Sequence, residues 1–276
     1  MYTLRRALKR KSIVTGAVIL LLVIAAGGLA RVLSPRAPNE MDVRNRLSPP
    51  SSEALMGTDN LGRDILSRVL HGSRVSLAVG FATALGASIA GVILGLIGGY
   101  SKSAGGIVMR VVDGMMAFPG TLLALALVAV LGARFTNILI ALTVLYTPRI
   151  ARIEHAAVMQ IREHEYVLAA IAQGCSTSRI MLRHILPNTI GPIIVQATFI
   201  LAYAVIAEAG LSFIGVGLPA STASWGNTLS NGRNYLLAAP WITLFPGGAI
   251  FVLVLGLNLL GDGLRDMLDP RVSRLK

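Results

Sequence analysis

The chain has 276 residues, 54% of them hydrophobic and 14% charged, with a formal net charge of +12 and a mean hydropathy of +0.69. A soluble domain carries about 25% charged residues, so this composition excludes a chain with a polar surface all round. The basic residues sit in short clusters between long uncharged stretches, and aromatic residues make up only 5%; that pattern fits a membrane topology signal and excludes nucleic acid as a partner.

A bilayer core about 30 Å thick takes about 20 apolar residues at about 1.5 Å each. The basic opening MYTLRRALKRK leads into Ser12–Ala30, 19 uncharged residues, longer than the ~7–15 of a signal-peptide core. No small-x-small site follows it, so it is expected to be a retained first span, with cleavage as the alternative. Arg31–Arg74 is polar and contains prolines. Val75–Ser101 is then uncharged for 27 residues and Gly114–Ala133 for 20. Phe135–Pro148 has only 14 uncharged residues; it spans if it extends to Ile153 with Arg149 and Arg152 snorkelling. Asn188–Ala207 adds 20 and Asn234–Gly261 adds 28, which makes six expected spans. Ala209–Gly232 is also uncharged, but Gly210, Gly215, Gly217, Pro219 and Gly226 interrupt it, so a loop is expected.

Six spans place both termini on one side. With that side cytoplasmic, the inner segments hold 16 Lys and Arg and the outer ones 9, so the positive-inside rule favours cytoplasmic termini. In span two, Gly91, Gly95 and Gly99 line one helix face and permit close backbone approach, within this chain or to a second membrane subunit.

The segment at about 154–187 is expected to be a cytoplasmic helix–turn–helix. Helix formers run from Glu163 to Ala172 and stop at Gly174; Ser176 can cap a second helix ending at or before Pro187. Ala169, Ala170 and Gly174 leave a notch of small residues flanked by Arg162, Arg179 and Arg183. Such a notch suits a docking protein, and an amphipathic helix on lipid headgroups is the alternative.

Ala169, Ala170, Gly174, Leu186 and Pro187 have the spacing of the "EAA" loop of ABC-importer permeases. Leu168 stands where that motif opens with Glu, and His184 where Ile is usual. GTDNLGRDILSRVLHG at 57–72 resembles the GTDxxGRDxxSRxxxG signature of dipeptide, oligopeptide and nickel importer permeases; in it stand Gly57, Thr58, Asp59, Gly62, Arg63, Asp64, Ser67 and Arg68. LSFIGVG at 211–217, WGNTL at 225–229 and NLLGDGLRDMLDP at 258–270 fit the same family, so the resemblance covers nearly the whole chain. It is to the C-type membrane subunit, which has a long first external segment.

The resemblance implies an all-α polytopic protein of the type I importer permease fold. It also implies a second homologous permease, two cytoplasmic ATPase subunits holding ATP and Mg, an external substrate-binding protein and a bacterial cytoplasmic (inner) membrane location. No cofactor is expected in this chain itself. The solute would be a dipeptide, an oligopeptide or a related small molecule, with nickel or another metal chelate as the alternative; a self-sufficient channel or secondary carrier is the rival from another class. Three regions are expected: 1–30 with the first span, 31–74 as an external segment containing an amphipathic helix, and 75–276 as the five-helix core.

Within the external segment, Asp59 and Arg63, and Asp64 and Arg68, are four apart and would pair on a helix. That helix would brace the outer face or meet the binding protein. Glu208 lies about 28 Å along span five from Thr189 at about 1.5 Å per residue, near the outer edge of the hydrocarbon. Ionisable groups at membrane depth face protein or a water path, so Glu208 would line an outer gate or fix the following loop. Asp262, Arg265, Asp266 and Asp269 would cap the last span.

No GxxxxGK[ST] phosphate loop and no HExxH pair occurs, so neither ATP hydrolysis nor metal catalysis is expected of this chain. Cys175 is the single cysteine, and the four histidines show no ligand pairing.

Overall fold

The computed structural model describes residues 10–101 and 103–268. Helix α1 is Lys11–Gly28, extended by a turn at Ala30–Leu33. Helix α2, Ile65–Tyr100, is 36 residues long, about 54 Å at about 1.5 Å per residue. Then come α3, Gly105–Met116, and α4, Gly120–Leu131. Next are α5, Phe135–Ile161, and the short α6, Glu165–Ala172. Helix α7 is Thr177–Phe213, α8 is Trp225–Gly232 and α9 is Trp241–Leu268. Among the described residues there is no strand, only an isolated bridge between Thr58 and Asp64.

Four helices, α1, α2, α7 and α9, are long and apolar enough to cross a membrane, and five do so if α3 and α4 count as one bent span. The expected span Gly114–Ala133 is not one rod: α3 and α4 meet at 93°. Pro119 is the cause, because it lacks an amide hydrogen and forces Phe118 out of helical geometry. Helix α5 is 27 residues long, but Arg149, Arg152 and Glu154 lower its hydropathy. The last span starts at Trp241, after Pro240, rather than at Asn234. The expected terminal segments 1–9 and 269–276, with Asp269, lie outside the described residues.

The helices pack through small residues. A Cβ on Gly91, Gly95 or Gly99 would strike Ile150, Glu154 or Val158 respectively. Both sets recur every fourth residue, so the glycine face of α2 receives the opposing ridge of α5 within the chain. Helix α1 lies on α9 in the same way, with Gly16 against Gly256 and Leu260. The main core joins α2, α4, α5, α7 and α9 through residues such as Val79, Ile138, Leu142, Ile200, Val205 and Leu253.

These contacts define two ends. At one, the ends of α2 and α5 and the start of α7 meet around α6, and the start of α1 lies against the end of α9. At the other, 34–64, α8 and the start of α9 gather on the first turns of α2.

Candidate functional site

The end where 34–64 and α8 gather is a buried polar knot. Gly57 and Gly62 adopt φ of 75° and 74°, conformations that cost other residues about 1–2 kcal/mol. A Cβ on Gly62 would also fall on the Asp42 carbonyl. This tight path lets one Asp59 oxygen accept from the Leu61 and Arg63 amides, while the other takes Arg63 Nε at 2.6 Å. The Asp59–Arg63 pair therefore forms in a turn, not on a helix.

Asp64 does not pair with Arg68. It caps α2, accepting from the Ser67 amide and hydroxyl at 2.6 Å each, because the helix begins only at Ile65 and an N-cap carboxylate finds free amides there. Arg68 instead donates to Thr228 Oγ1 at 3.3 Å, the Asn39 side chain at 3.1 Å and the Pro38 carbonyl at 3.2 Å. The amphipathic helix expected on the outer surface is thus the first turns of α2. Two indoles complete the knot, Trp225 donating to the Val69 carbonyl and Trp241 to the Thr58 carbonyl.

Ala209–Gly232 is only partly loop. Helix α7 continues to Phe213 and α8 occupies Trp225–Gly232, capped by Ser224. Glu208 is fully buried beneath this segment. Its carboxylate accepts from Ser212 at 2.8 Å and Ser224 at 3.1 Å, with Ser76 at 3.5 Å.

The opposite end presents an exposed arm. Helix α6 ends where Gly174, at φ 77°, turns left-handed. The Cys175 amide donates to the Ala170 carbonyl and the Gly174 amide to that of Ile171, a paired closure that leaves few carbonyls unsatisfied. A Cβ on Gly174 would meet nothing within 4 Å, so conformation rather than space selects glycine there. Ala169, Gly174 and Pro187 are exposed. Ala170 and Leu186 instead join Leu96, Val158, Val167, Ile180 and Ile185 in a small separate core. That core, together with Arg162 donating to the Gly99 carbonyl at 2.9 Å, fixes α6 against the ends of α2, α5 and α7.

The second arm is not a helix ending before Pro187. It runs without interruption into α7, through a wider π turn at Ile180–Ile185. A wider turn accommodates a proline whose ring would crowd the carbonyl of a regular α-helix. Ser176 precedes this arm without a side-chain cap bond.

Sequence reasoning missed Glu154. It lies in a stretch assigned to the cytoplasmic loop, yet it is fully buried against Gly95 and accepts from Thr189 Oγ1 at 2.9 Å. The signal was present in the register: Ile150, Glu154 and Val158 share the face opposite the glycines. Arg149 lies near the rings of Tyr146 and Tyr203, and Arg152 pairs with Asp113 at 2.7 Å.

Residues 87–274 match the family described as binding-protein-dependent transport system inner membrane component. The chain is 47% identical over 271 residues to a putative peptide transport system permease protein of Brucella suis biovar 1 strain 1330, covering 98% of this chain and 92% of that protein. It is 43% identical over 266 residues to a dipeptide transport system permease protein of Alkalihalophilus pseudofirmus strain OF4, covering 96% and 88%. Its fold resembles a chain of the inward-facing MetNI methionine ABC transporter, with a TM-score of 0.61, 19% identity, and 73% and 97% covered.

Proposed function

We propose, from the premise that the chain belongs to the family of binding-protein-dependent transport system inner membrane components, that it is a permease subunit of an importer for peptides. It has no phosphate loop of its own, so the driving energy comes from partners. A second homologous permease completes the path. Two cytoplasmic ATPase subunits, carrying ATP and Mg, grip the α6 arms, and an external binding protein delivers the solute. The assembly sits in the bacterial cytoplasmic membrane with both termini and α6 inside, as the excess of basic residues favours.

The observation that carries this reading is the exposed arm. Tyr166, Leu168 and Ile171 on α6 and Leu182 at the start of α7 are 45–61% exposed, beside Ala169 and Gly174, on two helices that are themselves fixed by a buried core. An apolar knob on a rigid mount can transmit a push into α5 and α7, and such a bistable packing contact is how a motor switches a path. At the far end, the knot of Asp59, Arg63, Asp64 and Arg68 braces the outer face, and Glu208 anchors the loop at 214–224.

The test is ATP-driven dipeptide uptake in proteoliposomes containing the full assembly. Ala169→Trp and Gly174→Trp place bulk where this chain leaves open space, so the fold should survive and uptake should cease. A chain that conducted without a motor would keep its flux in both variants, and that result would sink the importer reading.

A further inference from the structure

Helices α4, α5 and α7 line a half-open cavity of about 630 Å³, within the roughly 300–1,000 Å³ typical of small-molecule sites. Its wall is mainly apolar, with Leu125 on α4 and Gly210 on α7, and the only charged side chain lining it is Arg149. Arg149 is exposed on the chain by itself and lies about 21 Å along α5 from Phe135 at about 1.5 Å per residue.

The guanidinium carbon of Arg149 lies 5.5 Å from the centroid of the Tyr146 ring and 5.2 Å from that of Tyr203. Tyr146 donates its hydroxyl hydrogen to the Tyr203 main-chain carbonyl at 3.1 Å, which ties the Tyr146 side chain of α5 to the α7 backbone. Among the described residues, no carboxylate lies within ion-pair distance of Arg149. Ring faces attract the cation electrostatically but accept few of its five N–H donors. The planar donor fork therefore stays free, and it matches a carboxylate in two parallel hydrogen bonds.

We propose that Arg149, held between Tyr146 and Tyr203, binds the free C-terminal carboxylate of a short peptide as it passes through this cavity. The proposal rests on the importer function argued above. The tyrosines are positioning residues: they hold the cation in place.

The test uses the complete transporter in proteoliposomes, with the binding protein saturating, and follows uptake of radiolabelled alanyl-alanine and of its C-terminal amide. Arg149→Gln should lower alanyl-alanine uptake about tenfold or more and change amide uptake less than about twofold, with Arg149→Lys recovering part of the loss. Each variant is referred to wild type with the same probe, so the binding protein's own preference cancels. Wild-type uptake by Arg149→Gln, or equal losses in the Gln and Lys variants, would overturn the site and leave the importer function standing. If wild-type uptake instead depended on anionic phosphatidylglycerol in the vesicle, and Arg149→Gln abolished that dependence for acid and amide alike, the anion would be a lipid phosphate and the proposal would be overturned. Failure of the wild-type complex to move either probe under ATP would bring down the importer function and the site with it.

Discussion

Asp59, Arg63, Asp64 and Arg68 in the polar knot are each at most 4% exposed, whereas Tyr166, Leu168 and Ile171 on α6 and Leu182 at the start of α7 are 45–61% exposed. The usual rule is inverted at both ends: charge is buried in one and apolar surface is presented in the other. Buried charge persists where partners are supplied, and here they come from the 34–64 segment, the first turn of α2 and Thr228 of α8, although Asp64 Oδ1 and one terminal nitrogen each of Arg63 and Arg68 are left without one among the described residues. Exposed apolar surface on a rigid mount marks a contact. One motif is thus architecture, and the other is a surface. Glycine differs in the same way: Gly62 and Gly174 both have positive φ, but only Gly62 is also enclosed.

The comparison is broken most directly through Asp59. Asp59→Ala strands a buried arginine, and we expect a loss of about 3–5 kcal/mol, seen as a collapse of thermal stability in detergent; a normal melting profile would mean the knot is not structural. Next come the paired glycines. Gly62→Ala should cost more than the about 1–2 kcal/mol of the backbone conformation alone, while Gly174→Ala should cost no more than that. Equal melting shifts in the two variants would erase the distinction drawn here.

Ile171→Glu, at a position 47% exposed, should leave stability within about 0.5 kcal/mol of wild type, as exposed substitutions usually do. Yet it should lower ATP-driven uptake about tenfold, because a charge would be desolvated at the motor contact. Co-purification of the ATPase subunits with the variant reads that directly. The smallest effect is expected for Glu208→Gln. The amide keeps one oxygen to accept from Ser212 and Ser224, so a loss of about 1 kcal/mol or less and unchanged vesicle uptake are expected. A large drop in uptake at normal stability would instead make Glu208 part of the gate.

Much of this was legible in residues 11–268. Charge-free length located α1, the inner part of α2, α7 and α9, because crossing hydrocarbon is a demand on composition alone. The end of α6 at Gly174 was legible because a left-handed turn is a demand on one residue. Other features were hidden. The 93° bend between α3 and α4 was signalled only by Pro119, within an otherwise continuous apolar run. The passage of α7 through Pro187 depended on a π turn that no local preference announces. Glu154 was hidden because a charge near basic residues suggests a solvated loop; its burial depends on Gly95 of α2 and Thr189 of α7.

What the sequence determined by itself is therefore local: which stretches are apolar enough to span, where a backbone must turn left-handed, and which family motifs are present. Only the tertiary structure decided which charges are buried, which glycines receive a neighbour, and that Arg149 faces a cavity. The reason is physical. Hydropathy and φ belong to a residue and its immediate neighbours, whereas a buried arginine such as Arg68 is stabilised by Thr228, 160 positions away, and that partner exists only once the chain has closed.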